Sequence, residues 1–173
     1  MSRRFFSVTI GNRDPLLWGR RLLASGCRVS DEDIQGLLEN DVELGIEPVS
    51  GAVLLEVLTP KDILGGAVFT SSICDLLAKA QDIGLRPCSA VAALQLTLDR
   101  GRHLPTTSFI LGRHPMSFPA QDPFGDSFYQ YVTVRYEVKT IEGRPFLGCS
   151  WCGEDIYDPL LNSDEEWLFE HPN

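Results

Sequence analysis

Phe128-Tyr129-Gln130-Tyr131-Val132-Thr133-Val134-Arg135-Tyr136-Glu137-Val138, running into Lys139-Thr140, alternates along its whole length. Side chains of an extended chain point to opposite faces in turn. Phe128, Val132, Val134, Tyr136 and Val138 therefore share one face, and Tyr129, Tyr131, Thr133, Arg135, Glu137 and Lys139 the other. The segment predicts the spine of a sheet. Ile141-Glu142-Gly143-Arg144 then reads as a turn into Pro145-Phe146-Leu147-Gly148-Cys149-Ser150-Trp151-Cys152, which makes a hairpin. Upstream, Thr106 to Leu111 suits a strand, and Pro115 to Asp126, with three prolines, reads as a loop. The close, Asp164 to Glu170, places Trp167 and Phe169 on one face, as in an edge strand.

The first half of the chain is mostly helical. Met1 to Ile10 predicts a first strand. Asp14-Pro15 reads as an N-cap with proline at the first helical position, followed by a stripe of Leu16, Leu17, Trp18, Leu22 and Leu23 and a stop at Gly26. Ser30 caps a second helix, with Asp33 three places on and Ile34, Leu37 and Leu38 at helical spacing, ending around Asn40-Asp41. Ala52 to Leu58 is short and β-branched, hence a strand. Ser71-Ser72 caps a helix in which Ile73, Leu76, Leu77, Ala80 and Ile83 share a face before Gly84. Arg86-Pro87-Cys88-Ser89 breaks and recaps the chain for a helix bearing Val91, Leu94 and Leu98, and the two helices read as a hairpin or angled pair. The whole predicts one α+β domain over residues 1–173: an antiparallel sheet, mostly from the C-terminal half, packed against helices from the N-terminal half.

At 173 residues and 43% hydrophobic content, the chain is long enough for one sizeable core. Its longest uncharged stretches, Ile63–Cys74 and Pro87–Leu98, span 12 residues each, too few to cross a bilayer. The start lacks a cleavage site of secretory type, and five cysteines form an odd set in a chain that needs no staples. The expectation is a cytoplasmic protein with reduced thiols and no membrane contact. The net charge of −9 is unevenly spread: residues 1–30 carry six arginines against one aspartate, 31–62 nine acids against Lys61, and 150–173 seven acids with no Lys or Arg. These segments are expected to meet and neutralise one another on the surface.

No P-loop, GxGxxG, HExxH or GxSxG pattern occurs. Cys149-Ser150-Trp151-Cys152 has CxxC spacing, but an odd offset along a strand sends the two thiols to opposite faces, and no helix follows to lower a thiol pKa. No metal and no cofactor are expected. Asp122-Pro123-Phe124-Gly125-Asp126 lacks the alternating oxygens of a calcium loop. A helix-turn-helix reading of the pair around Gly84 fails because the second helix offers no Lys or Arg before Arg100, so direct nucleic-acid binding is not expected.

Leu76 to Leu98, with Gly84-Leu85-Arg86-Pro87-Cys88 between its helices, together with Trp167-Leu168-Phe169, resembles a group of small uncharacterised bacterial proteins. That resemblance covers about the last 100 residues and implies a bacterial, mobile-element origin but no activity. Function is therefore read from the residues. Tyr129 and Tyr131 beside Arg135 suit a protein-binding surface or homodimer seam, since Tyr and Arg are enriched where proteins meet. The leading expectation is a non-enzymatic domain that binds a protein partner or itself through that strand face and the acidic tail. The alternative is a small-molecule or enzymatic site between sheet and helices, using His103, His114, Tyr129 and Arg135 as its polar groups. A third reading is an acidic mimic of nucleic acid directed at a DNA-binding partner.

Overall fold

The computed structural model describes residues 4–11, 14–47, 50–100, 103–104, 108–120, 130–153 and 161–172. In chain order these form β1 (Arg4–Ile10), α1 (Pro15–Ala24), α2 (Asp31–Glu43), β2 (Gly51–Leu58) and α3 (Pro60–Leu64) with a 3₁₀ turn (Gly65–Thr70). There follow α4 (Ile73–Asp82), α5 (Ala90–Arg100), β3 (Phe109–Leu111), β4 (Met116–Ala120), β5 (Gln130–Ile141), β6 (Arg144–Gly153) and β7 (Glu166–His171). The fold is α+β, and five of its seven strands come from the C-terminal half.

The spine hairpin forms as its alternation predicts. β5 and β6 pair antiparallel from Ile141 opposite Arg144 to Thr133 opposite Gly153. The two residues of the turn, Glu142 and Gly143, have φ of 51° and 73°, the double left-handed geometry that matches strand twist in a two-residue hairpin. β6 takes one edge of β5, while β3 and β4 lie end to end along the other. The sheet then continues through β7 and β2 to β1. Every pairing is antiparallel except that of β3 with β7, so the sheet is mixed.

Helices cover both faces. On one, Trp18 of α1, Ile34 and Leu37 of α2 and Val91 and Leu94 of α5 pack on Val8, Leu55, Phe109, Val138 and Leu168. On the other, Ile63, Val68, Ile73, Leu76 and Ala80 pack on Leu58, Ile110, Trp167 and Phe169. α2, α3 and α4 each open with a capping box, Ser30/Asp33, Thr59/Asp62 and Ser72/Asp75, that satisfies backbone donors at the first turn. The Ser72 amide and hydroxyl hold the Asp75 carboxyl below its usual range.

Four sequence expectations need correction. β7 is an interior strand between β2 and β3, with Trp167 to Glu170 all buried; its flanking acids suggest an edge only because their partners are distant in sequence. Pro115 to Asp126 contains a strand, β4, in which Pro119 sits opposite Tyr131; residues 121–126 lie outside the described residues. α4 and α5 pack in separate cores on opposite faces of the sheet and form no helical hairpin. α2 runs on to Glu43, and Leu23 and Ile83, expected in apolar stripes, are 59% and 53% exposed, Ile83 as the C-cap residue of α4.

Candidate functional site

The link between α4 and α5 must carry the chain from one face of the sheet to the other, and it does so across the end of β7. Arg86 and Glu170 exchange backbone hydrogen bonds, N–H to O at 2.9 and 3.0 Å, while Cys88 N–H donates to Gly112 O at 3.3 Å. Gly112 N–H in turn donates to Leu168 O at 2.8 Å, prolonging the β3–β7 pairing. A Cβ on Gly112 would stand 2.4 Å from the Phe169 ring and 2.8 Å from Leu168 O. Only glycine fits there.

This crossing gathers charged groups from four segments. Asp41, in the last turn of α2, accepts from the Ala90 amide through Oδ2 at 2.8 Å and from Arg113 Nη2 through Oδ1 at 2.5 Å. Glu170 Oε1 accepts from the Ser89 amide at 2.9 Å and the Ser89 hydroxyl at 2.6 Å, and its Oε2 lies 3.7 Å from Arg86. Ser89 Oγ itself accepts from Ala92 N–H at 3.3 Å, capping α5. The orphan amides and positive dipole end of α5 are thus occupied by two of the protein's own carboxylates. Burial pushes the Asp41 carboxyl up, and the Arg113 charge and Ala90 amide pull back only part of that. Burial beside Glu170 also raises the Cys88 thiol far above its usual range, which keeps it protonated and unreactive.

Beside this cluster opens a cleft between α4 (Leu77, Ala80, Gln81), the link (Leu85, Arg86, Pro87), the exit of β3 (Gly112, Arg113, His114) and Phe169. Its interior free volume of about 20 Å³ holds little more than one water-sized group. Arg113 is only 2% exposed. Nη2 meets Asp41, whereas Nε and Nη1 are buried without a hydrogen-bond partner.

Of the residues singled out from the sequence, the structure brings His114 to this cleft. His103 is exposed elsewhere. Arg135 is engaged by Glu165 through both of its terminal nitrogens, at 3.1 and 2.7 Å, and Lys139 pairs with Glu137 while lying 5.1 Å over the Phe146 ring. Tyr129 and the side chain of Tyr131 lie outside the described residues. Cys149 is exposed on β6, with its thiol raised by partial burial, and Cys152 has no described side chain. Among the described residues no group of three His, Cys, Asp or Glu could hold a metal. The basic N-terminal and acidic C-terminal segments do meet, through Arg4 and Glu166. Sequence reasoning missed Arg113, Arg86, Asp41, Ser89 and Glu170. The available signal was Glu170 itself, a lone charge directly after Trp167-Leu168-Phe169. No single helix among the described residues is long and apolar enough to cross a membrane. No protein family, curated protein or solved structure matches the chain.

Proposed function

We propose that this is a binding domain that takes a carboxylate of its ligand into the cleft between α4 and the exit of β3. One observation carries the reading: Arg113, 2% exposed and with two guanidinium nitrogens unpartnered, is among the residues lining a cleft that Arg86 and His114 also border. Buried donors left unpaired cost about 1–3 kcal/mol each, and more when charged, and such groups in a native structure call for a water, an ion or a ligand. The small volume admits one carboxylate oxygen and leaves the carbon skeleton against Leu77, Leu85 and Phe169. Two guanidiniums already face Asp41 and Glu170, so one further negative charge is tolerated better than a phosphate dianion. This follows the small-molecule alternative read from the sequence, and it serves a partner protein's acidic side chain equally well.

The test is NMR of the arginine Nε–H resonances during titration with acetate, then phosphate, at constant ionic strength set by chloride. The expected result is a saturable shift of the Arg113 Nε–H with acetate, weaker with phosphate, and about tenfold lower affinity in Arg86→Gln, the worth of one charge-assisted hydrogen bond. An Arg113 signal indifferent to both anions sinks the proposal. Glutarate and a short Glu-rich peptide, compared next, separate a small acid from a protein partner.

A further inference from the structure

The two outermost strands are treated differently. The free side of β6 is occupied at its Pro145–Leu147 end by Arg28, whose N–H donates to Pro145 O at 2.7 Å and whose carbonyl accepts from Leu147 N–H at 3.3 Å. β1 pairs with β2 through all seven residues in unbroken register, and among the described residues nothing pairs with its outer side. An open edge is a template for another strand, and proteins ordinarily blunt one with charges, proline or a bulge. Apart from Arg4, β1 has none of these. Its single charge, Arg4, is drawn back to Glu166 and over the Phe109 ring at 5.3 Å, away from the edge. The remainder, Phe5-Phe6-Ser7-Val8-Thr9-Ile10, is uncharged and rich in strand formers, and Phe5 is 44% exposed.

We infer that the outer edge of β1 is the docking strand for a second copy of this chain, joining two sheets into one across a two-fold axis. The strand is complementary to itself about Ser7. Antiparallel pairing there sets Phe6 opposite Val8 of the partner subunit and Phe5 opposite Thr9 of the partner subunit, aromatic against β-branched in both cases and with no like charges facing. A foreign strand would need no such symmetry. Each copy offers one β1, so this isologous contact closes at two copies rather than running on as a filament; Arg28 occupies the Pro145–Leu147 end of the β6 edge, and Pro119 in β4 has no N–H to offer. A seven-residue edge contact is small beside a standard interface, so the dimer is concentration dependent. Since each copy carries −9, the dimer tightens as salt screens their repulsion.

Mass in solution, by light scattering and sedimentation across a concentration series at low and high salt, tests this. The wild type should pass from monomer to dimer, at lower concentration in high salt. Ser7 is exposed, so Ser7→Lys and Ser7→Glu should each fold, as circular dichroism checks, and each should raise the dimer dissociation constant by at least about tenfold. An equimolar mixture of the two should recover a heterodimer, because opposite charges then meet at the axis. Gln35→Lys, an equally exposed change on α2, should leave the dimer intact. A wild type that stays monomeric to its solubility limit in high salt overturns the inference. So does a dimer that both Ser7 variants leave unchanged, or a mixture that remains monomeric.

Discussion

Two polar clusters in this molecule use the same residue types and come to different ends. On β5, Arg135 and Glu165 form a bidentate pair with side chains 21% and 19% exposed. At the end of β7, Arg113 and Asp41 pair with side chains 2% and 6% exposed. The first pair is partly buried, and Arg135 Nε, like Nε and Nη1 of Arg113, has no hydrogen-bond partner. In the second, each ion has given up its hydration, and each depends on its partner for compensation. The degree of burial, and not the inventory of charges, separates the two pairs.

The largest break in that comparison should come from Asp41→Ala. Stranding Arg113 should cost about 3–5 kcal/mol in urea unfolding, whereas Asp41→Leu combined with Arg113→Met should cost far less, because the pair then leaves together. If the single change is no worse than the double, Arg113 is not held by that carboxylate. Next comes Gly112→Ala, which drives a methyl into Phe169 and the Leu168 carbonyl and should lose about 1–3 kcal/mol; a neutral result would show that the crossing relaxes more readily than its contacts suggest. Arg135→Ala should change stability least, by about 0–1 kcal/mol. A loss comparable to that of Asp41→Ala would erase the distinction between the clusters.

The legibility of this fold follows the range of the forces that make each part. The β5–β6 hairpin, the Ser30 and Ser72 caps and the Pro15 helix start depend on residues within a few positions, where periodicity and hydrogen-bond geometry are written in the chain. The place of β7 was misread because Glu165, Glu166 and Glu170 look like solvated charges until Arg135, Arg4 and Arg86 arrive from elsewhere. α4 and α5 look like a pair because only seven residues separate the spans, yet those residues cross the sheet. His114 was picked out as a titratable loop residue and does border the cleft. Arg113 beside it was passed over, since nothing local marks an arginine for burial.

By itself the sequence determined the strand alternation, the capped helices and the two-residue turn, all consequences of backbone sterics and short-range bonding, and the uncharged run from Phe5 to Ile10. The tertiary structure alone decided which strand is central, that Arg28 bridges the β6 edge while nothing among the described residues pairs with the outer side of β1, and that Asp41, Ser89, Arg113 and Glu170 meet. Those outcomes rest on contacts between residues distant in the chain, such as Ser89 and Glu170, 81 positions apart, where desolvation and pairing act through space and leave no period in the chain.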